Sequence, residues 1–183
     1  MNATDLLKEE HRIIRRVLNA MEVQARRMQS GVAMRPGFFL DAADFLRNFA
    51  DGCHQRKEDE PFLLAMVDAG MSNQTGPLMI MLAEHDLGRV CNRAIERAAD
   101  ALERGDAEAK DGLIRRTLEY VALKRRHCRR EDEFLFPMAE RLLAPEARER
   151  MRGEFERFDR DETGIRAHRK YSELAAALAE EAG

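Results

Sequence analysis

Six side chains in this 183-residue sequence carry the donor atoms and the spacing needed to hold metal ions. His54 and Glu58 are four residues apart, and so are His127 and Glu131. On a helix such a pair lies on one face, one turn apart, so each offers an imidazole nitrogen and a carboxylate to the same place. His11 and His85 stand alone, each at a core position of an apolar helical repeat. If all six face inward, two ionised carboxylates leave water, and burying them alone carries a large desolvation cost. No inward arginine is evident to offset it, because Arg56 and Arg129 sit two residues past the histidines on another face. A pair of divalent or trivalent cations satisfies every group at once, with neutral imidazoles as donors and the carboxylates as bridges. The plainer alternative is a polar layer of His–Glu hydrogen bonds inside a bundle. A nitrogen and oxygen donor set without Cys suits iron or manganese, and zinc can use it too. Two histidines and two bridging carboxylates give each ion about four protein donors, which leaves room for a solvent bridge and an open position. On a redox metal, an open position invites O2, peroxide or NO.

An internal repeat joins these residues. Glu10-His11-x-x-x-Arg15 recurs as Glu84-His85-x-x-x-Arg89, and His54-x-x-x-Glu58-Asp59-Glu60 recurs as His127-x-x-x-Glu131-Asp132-Glu133. The two copies are in register: His11 and His54 are 43 positions apart, His85 and His127 are 42. The pattern reads as two helical hairpins, each supplying one lone His and one His-x-x-x-Glu. With only two copies it is a duplicated unit and not a solenoid.

The elements that must position them are helices. Leu7, His11, Ile14, Leu18, Met21, Ala25 and Met28 alternate at steps of four and three, as do Met81, His85, Gly88, Asn92, Ile95, Ala99 and Leu102. Phe39, Ala43, Leu46, Ala50, His54, Glu58 and Ala65 can share one inward stripe, and His127, Glu131, Phe134, Met138 and Leu142 another. Breaks fall at residues 30–37, at 70–77, at Gly105-Asp106 and at Ala144-Pro145. The four main segments are then roughly 25 to 35 residues, about 40 to 50 Å long. The expected fold is all-α: an up-down-up-down four-helix bundle with an additional C-terminal helical segment. Residues 1–143 would form the bundle, and 144–183 an extension packed on it within one domain. That extension has an apolar seam of Leu174, Ala177 and Leu178, with an interruption expected near Gly164.

Composition agrees and narrows the classes of function. Charged residues make up 36% and aromatics 6%, and acidic and basic residues nearly balance at a net charge of −3, so there is no nucleic-acid footprint. The three cysteines, Cys53, Cys91 and Cys128, include no C-x-x-C pair, which argues against a secreted disulfide framework. No apolar run reaches the length of a membrane span. A soluble, cytoplasmic protein, monomeric or homodimeric, is the expectation.

On these motifs the sequence resembles the hemerythrin family, specifically the bacterial hemerythrin-like HHE cation-binding domain. The resemblance spans about residues 3 to 143. It rests on His11, His54-x-x-x-Glu58, His85 and His127-x-x-x-Glu131, followed by Glu133-Phe134-Leu135-Phe136-Pro137. It implies a left-handed four-helix bundle around an oxo- or hydroxo-bridged pair of non-heme iron ions. Oxygen-carrying members have five histidines, two of them as His-x-x-x-His on the third helix, and a final His-x-x-x-x-Asp. Here Arg89 stands where the second third-helix His would fall, which places the chain in the four-His, two-Glu branch and away from simple reversible O2 carriage. That branch includes iron- and oxygen-responsive domains, proteins with peroxide- or NO-directed activity, and di-iron proteins of iron–sulfur cluster repair. The implied ligands are His11 and His54 on one iron, His85 and His127 on the other, and Glu58 and Glu131 across both. The implied partner is a diatomic gas or a peroxide, with oxidoreductase turnover as one outcome and sensing without turnover as another.

Other residues have ordinary roles on this reading. His168 lies among charges and reads as a surface or packing residue. Cys53 and Cys128 project about 100° from the neighbouring histidine and read as packing. Tyr120 reads as a core residue two turns from His127. Pro61 should remove a backbone donor and kink its helix just beyond Glu58. Phe62, Phe134 and Phe136 are expected to wall the site from water.

Overall fold

The computed structural model describes residues 2–32, 34–35, 37–160 and 162–183, with side chains in 160–167 left out of the description. Six helices follow one another among the described residues: α1 (Ala3–Gln29), α2 (residues 38–68), α3 (Gly76–Glu103), α4 (residues 109–142), α5 (Pro145–Arg160) and α6 (Glu162–Ala182). The first four form the expected bundle. α4 packs between α1 and α3, α3 against α2, and α6 fills the seam between α1 and α2.

Local chemistry sets the ends. Asn2 and Asp5 form a reciprocal capping box at the start of α1. Pro145 opens α5, where its missing N–H costs nothing. The breaks after α2 and α3 close on Gly70 (φ 95°) and Gly105 (φ 93°), in the left-handed region that favours glycine. The interruption expected near Gly164 falls where α5 ends at Arg160 and α6 begins at Glu162. Gly164 lies within α6, and residue 161, between α5 and α6, lies outside the described residues.

The seams of α1 and α3 are buried as read from sequence, apart from a half-buried Leu102. Those of α2 and α4 differ beyond the glutamates. Ala65 is half-buried and Phe62 and Met66 are buried instead, while Phe134 is 63% and Leu142 43% exposed and Leu135, Phe136, Ala139 and Leu143 are buried. The cause is backbone geometry. Leu46–Gln55, Glu58–Phe62 and Glu131–Leu135 are wound as wide π turns, which take an extra residue per turn and shift the inward face. Pro61, expected to kink the helix, sits inside one of these wide turns.

Two apolar cores result. One gathers Ile14, Leu18, Phe38, Phe45, Phe49 and Tyr120, and the other Leu7, Phe62, Met66, Met81, Phe136 and Phe155. The histidine and glutamate layer lies between them. The C-terminal helices run beside α1 from one core to the other, with Met151 and Phe155 in the second core and Tyr171, Ala175, Leu178 and Ala182 in the first. Of the expected α6 seam, Leu178 is buried and Leu174 half-buried against the first core, while Ala177 is exposed. The His168 ring packs against Phe49 in a tilted arrangement, centroids 5.4 Å apart, a packing role. No helix among the described residues is long and apolar enough to cross a membrane.

Candidate metal centre

Each hairpin carries its histidines and glutamate to the middle of the bundle, and all six residues are at most 2% exposed. The two carboxylates straddle the hairpins. Glu58 Oε1 lies 3.3 Å from His54 Nε2 and its Oε2 3.3 Å from His85 Nε2. Glu131 Oε1 lies 3.1 Å from His127 Nε2 and its Oε2 3.3 Å from His11 Nε2. The donor atoms fall into two groups, His11–His54–Glu58–Glu131 and Glu58–His85–His127–Glu131, each with atoms within 4.8 Å of one another. The two groups share both carboxylates.

The outer ring nitrogens fix the direction of the inner ones. His11 Nδ1 donates to Asp132 at 2.8 Å, His54 Nδ1 to Glu10 at 3.0 Å, His85 Nδ1 to Asp59 at 2.6 Å and His127 Nδ1 to Glu84 at 3.0 Å. A carboxylate can only accept, so each Nδ1 carries the proton and each Nε2 of a neutral ring presents a lone pair to the centre. The wide turns make this arrangement available, because Glu58 and Asp59, and likewise Glu131 and Asp132, must both reach histidines from consecutive positions. Arg15 pairs with Asp132, and Arg89 with Asp59 at 3.3 Å. Arg89, which departs from the five-histidine pattern, thus steadies a carboxylate that orients His85.

This donor set fits cations. His11 Nε2, His54 Nε2 and both oxygens of Glu58 and Glu131 have no hydrogen-bond partner among the described residues. His85 Nε2 and His127 Nε2 face each other at 3.0 Å. So many electron-rich atoms converging in a buried layer must be neutralised, by protons or by metal ions. The titration of the groups shows the same demand. Burial favours neutral Glu131, and Glu58 pushes the same way, but His127, His11 and His85 outweigh both and hold its carboxyl at about 2. Burial alone would raise the Glu58 carboxyl, yet His54 and His85 hold it well below the usual range. Burial opposes charge on His85 as well, and Asp59, Glu131 and Glu58 overcome it, so the ring holds its proton well above the ordinary value. His11 behaves likewise, with Cys128, Asp132 and Glu131 prevailing over burial. Burial and the nearby Lys124 push His127 down to about 3.

The chain matches the model of the family described as the hemerythrin HHE cation binding domain over residues 2–139. It belongs to that family. Relatives of this HHE domain include uncharacterized proteins of Mycobacterium bovis and Mycobacterium tuberculosis. Each is 25% identical over 137 residues, covering 75% of this chain and 53% of the relative. The chain thus spans about half the length of the curated relatives it matches. No solved structure matches it.

The structure brings His11, His54, Glu58, His85, His127 and Glu131 of the HHE domain together in one buried layer. It also adds residues to which sequence reading gave no role. Glu10, Asp59, Glu84 and Asp132 orient the histidines, and all four stand next to ligand candidates in the repeated motifs. Lys57, 1% exposed, pairs with Glu10 at 2.5 Å and with Asp159 of α5 at 2.7 Å. A buried cation therefore does sit beside the site, although no inward arginine was evident from sequence. Its counterpart in the repeat, Arg130, pairs with Glu84 and is 46% exposed. Phe136 stacks on His11 at 5.6 Å, and Phe62 packs on Phe136 at 5.7 Å. Phe134, expected to join that wall, points outward because of the wide turn before it. Cys128 is buried against His11, a closer neighbour than its helical angle suggested.

Proposed function

We propose that this HHE domain is a non-heme di-iron protein that binds or reacts with O2, peroxide or NO. The observation carrying the reading is the pair of interlocking donor groups, each with two histidine nitrogens and both shared carboxylates. His11 and His54 would hold one iron, His85 and His127 the other, and Glu58 and Glu131 would lie across both. Iron held there would supply reversible one-electron chemistry next to a small ligand. The protein's part is to fix every imidazole through its Nδ1 carboxylate, to keep the layer dry between two apolar cores, and to balance the charge of the carboxylates. Residues 1–143 form the metal-holding unit in this reading, and 144–183 extend the same domain.

One observation favours a second reading as an iron or oxygen sensor. Asp159 of α5 joins Lys57, Lys57 joins Glu10, and Glu10 joins His54. Occupancy of the centre can bias the C-terminal helices through that chain. Stopped-flow absorption of the anaerobic, iron-loaded protein mixed with O2, hydrogen peroxide or NO separates the readings. Rapid change with repeated turnover supports reaction. Binding without turnover, together with altered protease protection of α5 and α6, supports sensing. No spectral response to any of the three would refute both.

A further inference from the structure

The two halves of the centre are not equally covered. On the His11–His54 side, Glu10 and Lys57 are sealed from water, with Lys57 held by Asp159 and Phe155 of α5 in the core beside it. On the His85–His127 side the matching residues are Glu84 and Arg130, and Arg130 is 46% exposed. Among the described residues neither C-terminal helix is in extensive contact with α3. There a cavity of about 220 Å³ runs inward between α3 and α4. Ile80, Met81, Leu135 and Met138 form its apolar walls, the mutually paired Glu84 and Arg130 border it, and Phe134 stands at its mouth. Its inner end is His127 and Glu131.

We propose that small uncharged molecules reach the centre from this side only, and bind beside His127 and Glu131 rather than beside His11 and His54. The inference rests on the di-iron reading above and adds the side and the route. An apolar channel admits neutral molecules such as O2 or NO without the desolvation cost that an anion would meet. Its volume exceeds a water's share of about 30 Å³ several-fold, so a compact apolar body also fits. The wide turn at Glu131–Leu135 creates the route, because it turns Phe134 out to the mouth and leaves the space beneath it open.

Xenon, a neutral apolar probe, tests the pocket without iron. Under xenon pressure the metal-free protein should show saturable shifts of the Ile80, Leu135 and Met138 methyl resonances in NMR. Met138→Trp, which fills the channel, and Phe134→Trp, which narrows its exposed mouth without disturbing the core, should weaken those shifts. In the iron-loaded protein, NO association should slow at least tenfold in Met138→Trp and severalfold in Phe134→Trp, with metal content unchanged. Phe158→Ala, which trims α5 on the covered side where the Phe158 ring packs under Arg56, should leave the NO rate within twofold. Xenon finding no site at these methyls would overturn the proposal, as would unchanged NO rates in both channel variants or faster binding in Phe158→Ala. If iron fails to load while xenon still binds, the pocket stands and the di-iron reading falls.

Discussion

Replacing Glu10 by Gln and, separately, Glu84 by Gln compares two residues with the same role in different surroundings. Each carboxylate accepts the Nδ1 proton of a histidine, His54 or His127, at 3.0 Å. Removing either should weaken metal binding by a similar factor, about 10- to 100-fold. Their effects on the metal-free fold should differ. Glu10→Gln takes one of two charge partners from Lys57, which is 1% exposed. Breaking a buried pair costs about 3 to 5 kcal/mol, and the low end applies because Asp159 remains. Glu84→Gln leaves Arg130 unpaired at 46% exposure, where such a pair contributes at most about 1 kcal/mol. A chain of this size loses about 2 to 4 °C in Tm per kcal/mol. Thermal unfolding after chelation should thus drop by about 6 to 12 °C for Glu10→Gln and by no more than about 4 °C for Glu84→Gln. Equal drops would refute the argument that α5 buries one half of the centre and not the other.

Three other outcomes follow from the geometry. The His11→Ala/His54→Ala double variant should keep about one ion per chain, whereas Glu58→Gln should weaken both positions more than about 100-fold, as measured by elemental analysis after dialysis; full retention of two ions by the double variant would contradict one ion per hairpin. The metal-free protein should lose stability as pH falls from about 4.5 to 2 in urea titrations. In that window the unfolded state binds the protons that Glu131, held at about 2, does not take up in the fold; His127, held at about 3 against an ordinary 6.5, adds in the same direction down to about pH 3, a contribution that already begins near pH 6.5. His11 and His85, whose values are raised, are charged in both states there and add no slope. Gly88→Ala should raise stability by about 0.5 to 1 kcal/mol, because an added Cβ meets only ordinary contacts, Lys124 at 3.7 Å and Tyr120 at 4.0 Å, and alanine favours the helix. A Tm below that of the unaltered protein would show that the helix packing there is tighter.

The helices and the inward position of the site residues were legible because burial follows helical period. The seams of α1 and α3 run at steps of three and four through His11 and His85, and they are buried as that spacing requires. The reading slipped by one residue where the helices are wound wide, so Leu135 replaced Phe134 and Met66 replaced Ala65. Nothing in an apolar pattern marks a π turn, and Pro61 gave the one local sign of irregular backbone. The carboxylates behind the histidines were present in the repeat as Glu10-His11, Glu84-His85, Glu58-Asp59 and Glu131-Asp132. Their crossing pattern, with Asp59 reaching His85 and Asp132 reaching His11, depends on how the hairpins pack and has no local signature. The same holds for Lys57, which is buried by a helix about a hundred residues further along the chain.

The most direct test of the account is the metal content of protein purified without oxygen, with absorption spectra recorded before and after exposure to air. The account predicts about two irons per chain and a near-ultraviolet band that appears on oxidation. A chain that retains no iron, and that takes up none on reconstitution while remaining folded, would mean that the four histidines and two glutamates form a protonated polar layer and not a metal centre.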